Sequence, residues 1–137
     1  MKKLLTSNRA EGYIDTVVMI VAAMMVIVLA LNVFSFLMMK QEMDYFAKEI
    51  IDTATIYGKT TGETTQRYKA LVNELGFVPS MTFLGTEFYN SSTGTVQLGD
   101  TIHVTITYRA YLQGFGIFRI PIVLKVHYSG LSQKYWK

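Results

Sequence analysis

The stretch VVMIVAAMMVIVLALNVFSFLMM, Val17 to Met39, carries no charge, and its only polar side chains are Asn32 and Ser35. A helix of about 20 such residues spans the hydrocarbon core of a bilayer. Reading it as a membrane helix decides the fold, because it leaves roughly 100 residues of the 137 for a single small domain. Lys2, Lys3 and Arg9 all precede the run. The positive-inside bias therefore predicts one span with the N-terminus in the cytoplasm and the C-terminal domain outside.

A secretory signal shares the basic start, but its apolar region is about 7–15 residues long and ends at a small-residue cleavage site. Here the run is longer and ends in Phe36-Leu37-Met38-Met39-Lys40. The segment is therefore expected to stay attached. Just upstream, Gly12 separates the basic leader from the apolar block, and Asp15 sits where the membrane begins. A charge at the bilayer centre costs about 2.5–3.5 kcal/mol and less at the edge, so Asp15 needs a reason. In a helix starting near Tyr13, a first-turn carboxylate gains about 0.3–1 kcal/mol from the helix dipole.

Half of the residues are hydrophobic, and the excess is concentrated in that block. The net charge of +3 comes from scattered bases with no Lys/Arg stripe, which argues against nucleic-acid binding. With no cysteine, disulfides, thiolate metal sites and cysteine nucleophiles are excluded.

From the end of the run onward, Phe36, Met39, Met43, Phe46, Ile50, Ala54 and Tyr57 recur at helical spacing, with Gln41, Glu42, Asp44, Lys48, Glu49 and Asp52 on the other faces. No Pro or Gly interrupts the pattern before Gly58. One helix from near Tyr13 to Tyr57 is predicted, its second half presenting an apolar stripe to the domain. Thr60-Thr61-Gly62-Glu63 has the form of a capping box. A short second helix then places Tyr68, Leu71, Val72 and Leu75 on one face and ends at Gly76.

From Met81 the period changes to two. In Thr101 to Leu112, Ile102, Val104, Ile106, Tyr108, Ala110 and Leu112 share a face; in Ile117 to Tyr128, Phe118, Ile120, Ile122, Leu124, Val126 and Tyr128 do. Gln113-Gly114-Phe115-Gly116 reads as the hairpin turn between them. Strands at Met81 to Tyr89 and Thr95 to Leu98 are expected beside this pair, and Pro121 requires an edge strand or a bulge. The fold class is α+β. A long N-terminal membrane-spanning helix continues into a small domain with a short second helix and a three- to four-stranded antiparallel sheet. The organisation is a leader at residues 1–12, a transmembrane helix at 13–39, and an extracytoplasmic domain at 40–137 that includes the amphipathic extension 40–57.

Catalytic signatures are lacking. His103 and His127 lie on the strand faces opposite the core, and two imidazoles without a third ligand make a poor metal site. No GxSxG, HExxH or phosphate-binding loop occurs, and Gly114-Phe115-Gly116 lacks the third glycine and following helix of a dinucleotide site. Asp44, Lys48 and Asp52 stand at helix-neighbour spacing and suit a solvated face. Neither an enzyme nor a cofactor or metal is expected.

A basic leader ending in Gly12, the bulky Tyr13, an early carboxylate, a long protruding helix and a small outer sheet together resemble the type IV pilins. Among these, the chain looks most like the TadE-like pseudopilins of the tight-adherence pilus. "GDTIHVTITY", Gly99 to Tyr108, is similar to a strand common in that family. The resemblance implies cleavage after Gly12 by a prepilin peptidase on the cytoplasmic side, leaving Tyr13 as the new N-terminus. It also implies assembly with other pilin-like subunits on a membrane platform, with Asp15 neutralising a neighbour's new amine. The family places a glutamate at the fifth mature position, here Val17, whereas the acid of this chain is Asp15. Either Asp15 takes that part or cleavage falls elsewhere. The departure points the resemblance toward a diverged Gram-positive branch, several of whose members have no assigned function. The resemblance implies residence in the cell membrane or a surface filament. The competing reading is a bitopic membrane-anchored protein whose extracytoplasmic domain binds a protein or ligand.

Overall fold

A computed structural model describes the backbone of residues 4–114 and 118–137 and the side chains of residues 12–112 and 119–137. Its first element, α1, is one helix from Leu4 to Tyr57, about 80 Å long at 1.5 Å per residue. It starts well before the expected Tyr13. Nothing between Leu4 and Glu11 breaks a helix, and a lone interior glycine costs only about 1 kcal/mol, which propagation from both sides absorbs. The helix ends at Gly58, whose φ of 59° is left-handed, while the Lys59 N–H bonds back to the Ala54 carbonyl at 3.2 Å. That is a Schellman ending. A Cβ at Gly58 would also stand 2.6 Å from Lys134 Cβ, so both conformation and space demand glycine.

The second helix, α2, spans Glu63–Leu75 and ends as expected at Gly76, left-handed at φ 75°, whose N–H bonds to the Val72 carbonyl. The capping box does not form. Glu63 is the first helical residue, too early to reach back. Thr60 instead donates from its backbone N–H (2.8 Å) and Oγ1 (3.3 Å) to the Gly94 carbonyl, and Thr61 Oγ1 donates to Thr93 O at 2.7 Å. Those hydroxyls fasten the inter-helix link to a distant turn rather than capping α2.

Three antiparallel strands follow in the spatial order β1-β2-β3: β1 at Ser80–Thr82, β2 at Thr101–Gly114 and β3 at Phe118–Leu131. Ile106 pairs with Val126 and Val104 with Tyr128, so the expected apolar faces of β2 and β3 coincide. Pro121 lies on the outer strand β3, opposite Tyr111, where an edge tolerates a missing donor. The expected turn at residues 115–116 falls outside the described residues.

Two expected strands are corrected. The one at Met81 to Tyr89 shrinks to β1, because the chain turns at Leu84 and Gly85 (φ 89°). Beyond it, Thr86 Oγ1 takes over the ladder by accepting from His103 N (3.0 Å) and donating to His103 O (3.2 Å). Thr95 to Leu98 forms no strand. Val96 N–H bonds to Gly58 O at 2.8 Å, and Thr95 makes isolated bridges to Lys59 and Asn90, so the segment laces the end of α1.

The core lies between the second half of α1 and the sheet. Met43, Phe46, Ala47, Ile50 and Ala54 are fully buried against Ile102, Val104, Ile106 and Leu71. Burying each large side chain is worth about 1.5–3 kcal/mol. Phe46 meets Tyr68 edge-on at 5.5 Å between centroids and Phe77 at 5.9 Å, and Tyr68 donates to the Pro79 carbonyl at 2.7 Å. Tyr57, expected in the stripe, is exposed instead, because the core ends at Ala54 and Thr55, where the C-terminal tail crosses. That tail is clasped by Gln133 N–H to Thr55 O (2.8 Å) and by the Gln97 amide, which accepts from Trp136 N and donates to Trp136 O.

Candidate functional site

Gly12, Tyr13 and Asp15 lie within one turn of α1. Gly12 is helical, and a Cβ added there would meet nothing within 4 Å. Neither conformation nor packing calls for glycine at that position, so its helix penalty is uncompensated by the surrounding structure. Tyr13 and Asp15 are exposed, and Asp15 has no hydrogen-bond or ion-pair partner among the described residues. Thr16 Oγ1 donates to Gly12 O at 2.8 Å.

The dipole explanation expected for Asp15 does not hold in the intact chain. With α1 starting at Leu4, Asp15 stands three turns inside the helix, and the macrodipole acts mainly in the first turn. A helix whose first residue was Tyr13 would return Asp15 to that turn.

From Gly12 onward α1 is long and apolar enough to cross a membrane, and no residue of its most apolar window is buried by the rest of the chain. Its two polar side chains each donate back to the helix: Asn32 Nδ2 to Val28 O at 2.8 Å and Ser35 Oγ to Leu31 O at 3.0 Å. Such back-bonding lowers the cost of a polar group in an apolar solvent.

On the C-terminal domain, His103 and His127 stack across the β2–β3 ladder with centroids 5.5 Å apart and rings 17° from parallel, and Thr105 Oγ1 lies 3.0 Å from His127 Nδ1. Among the described residues no third potential metal ligand joins them. Asp44, Lys48 and Asp52 form no ion pair among the described residues; α1 instead pairs through Glu49 with Arg67 of α2.

Sequence reasoning did not anticipate how far the β2–β3 ribbon reaches along α1. Ala110, Tyr111, Leu112 and Ile122 line a cleft of about 120 Å³ with Asn32, Ser35, Phe36 and Met39, helix positions inside the apolar run. That is smaller than the ~300–1,000 Å³ of ordinary ligand sites. The signal was present in Ile120-Pro121-Ile122-Val123, four consecutive apolar residues where a half-solvated strand alternates.

Residues 18–137 match a family model described as "Domain of unknown function (DUF4320)". Gly12, Tyr13 and Asp15 lie before the matched region. No curated protein and no solved structure matches the chain significantly.

Proposed function

The chain belongs to the DUF4320 family, and we propose that within it the protein is a pilin-like structural subunit and not an enzyme. In this reading a prepilin peptidase cuts after Gly12 on the cytoplasmic side. The apolar half of α1 holds the subunit in the membrane as a single span with its domain outside, and then packs against other subunits in a pilus-like or secretion filament built on a membrane platform. The observation that carries the reading is the apolar length of α1, with no residue of its most apolar window buried by the domain, headed by a carboxylate that has no partner among the described residues.

The chemistry follows from the junction. A glycine that neither backbone nor packing requires suits a protease that must bring the chain close to its own groups. Cleavage creates a positive amine at Tyr13, two residues from Asp15. In a low-dielectric setting an unpaired amine and an unpaired carboxylate are each costly, and pairing between neighbours offsets both. The carboxylate thus becomes a register mark for docking one helix against the next. The test is the N-terminus of the membrane-extracted protein in cells that contain the peptidase. Tyr13 is expected; Met1 would overturn the reading and leave the bitopic anchor.

A further inference from the structure

The outward face of the β2–β3 ribbon changes character along its length. Near the start of β2 it carries His103 opposite Ser129, Thr105 opposite His127 and Thr107 opposite Lys125. Further along, Arg109 faces Val123 and Tyr111 faces Pro121. On that face Tyr111 and Val123 are 51% and 59% exposed, and the Arg119 guanidinium carbon lies 4.3 Å over the Tyr111 ring. The switch from polar to apolar occurs where the ribbon draws level with Met39, Phe36 and Asn32 of α1. Asn32 is about 12 Å along the helix axis from Lys40, the first charge after the apolar run.

We propose that this distal part of the ribbon is a second membrane contact, seated in the phosphate-bearing headgroup layer of the outer leaflet; the inference rests on the reading of α1 as a membrane span. Tyr111, Pro121 and Val123 enter the acyl boundary, and Arg109 and Arg119 bind lipid phosphate. Tyrosine suits that depth because its ring is apolar and its hydroxyl wet. Arginine suits it because a planar fork pairs two-pronged with phosphate while its stem lies along apolar surface. Depth is limited from the other side. β1 covers β2 only at Thr105 to Thr107, so further along both outer edges of the ribbon present unpaired backbone groups that need water. The contact therefore fixes how deep α1 sits and which of its faces turns toward the domain.

The chain has no cysteine, so single cysteines can carry a polarity-sensitive fluorophore at chosen positions. The full-length protein is reconstituted in vesicles of phosphatidylethanolamine and phosphatidylglycerol that contain lipids carrying a quencher at shallow or deep positions. Val123→Cys is expected to be quenched by the shallow lipids and Ser129→Cys, at the other end of the ribbon, by neither. Met25→Cys in α1 reports on the span itself, through quenching by the deep lipids. Adding Arg109→Glu and Arg119→Glu should abolish quenching at 123 while leaving positions 25 and 129 unchanged. Quenching at 25 without quenching at 123 would overturn the ribbon contact alone. Absence of quenching at 25 would overturn the membrane span, and this inference with it. A label at 123 that is shielded from lipid and becomes apolar only at high protein-to-lipid ratio would assign the patch to a second copy of the chain and overturn the lipid contact.

Discussion

Arg67 of α2 donates from both Nε (3.2 Å) and Nη2 (2.7 Å) to a single oxygen of Glu49 on α1. The hydrogen bond to Glu49 holds the guanidinium above its ordinary pKa. A raised value contributes stability below the unfolded pKa and loses it only as pH rises through the folded one, so the contribution persists as pH rises above neutrality. Both side chains are a third exposed, which screens the pair. Arg67→Ala should therefore lower stability by about 0.5–1 kcal/mol, less in high salt, as read by thermal melting of the detergent-solubilised protein.

Gly130 of β3 passes close against α1. A Cβ there would stand 2.7 Å from Thr55 Cγ2 and 3.4 Å from Ile51 Cγ1. Gly130→Ala should destabilise by about 1–3 kcal/mol. Thr55→Ser removes that methyl and keeps the hydroxyl's bond to Asp52 O, so the double variant should recover much of the loss. A strictly additive double-mutant cycle would refute the close approach.

Ile106 is fully buried in the sheet, whereas Ile122 on the distal ribbon is only half-buried. Ile106→Asp should abolish cooperative unfolding, because an unpaired core charge is costly. Ile122→Asp should lower the melting temperature without destroying the fold. Equal effects of the two would place the core elsewhere along the ribbon.

Replacing Gly12 with leucine should leave α1 intact or more helical, since a side chain there meets nothing. The same change should block cleavage. Wild-type processing would remove Lys2, Lys3, Arg9 and Glu11 and shift the net charge from +3 to +1. Intact-mass measurement with and without the peptidase reads both outcomes. An identical mature mass in variant and wild type would exclude Gly12 as the processing site.

Asp15→Ala should leave cleavage and membrane insertion unchanged while reducing recovery with the assembly partners. Val17→Glu in that background should restore part of it, by returning a carboxylate to the position usual in the resembling family. Crosslinking at equal expression measures the effect. Equal recovery of Asp15→Ala and wild type would remove the intersubunit role.

The elements governed by side-chain periodicity were legible in the sequence: Met43, Phe46, Ile50 and Ala54 repeat every three or four residues, and Ile102, Val104 and Ile106 every two. What depended on competition for hydrogen bonds was not. Thr60 had the choice of capping α2 or reaching the Gly94 carbonyl, and the local pattern carries no trace of a partner so distant in sequence. Thr86 likewise replaces a backbone ladder with a hydroxyl, cutting β1 short. Of the candidate site, Gly12 and Asp15 stood out by residue type. The start of α1 at Leu4 did not, because Gly12 reads as a boundary until the helix is seen to run through it.

The unbroken course of α1 has a mechanical meaning. Between Leu4 and Tyr57 there is no proline, bulge or 3₁₀ turn to act as a joint, and the main-chain hydrogen bonds form one continuous spine. The domain is bolted to the far end of that spine by Phe46, Ile50 and Ala54 and cannot swivel independently of it. A twist or pull applied to the apolar end therefore arrives at the sheet undiminished. Whatever grips the first half of the rod also aims the domain, and neighbouring rods locked side by side would display their sheets at a fixed pitch.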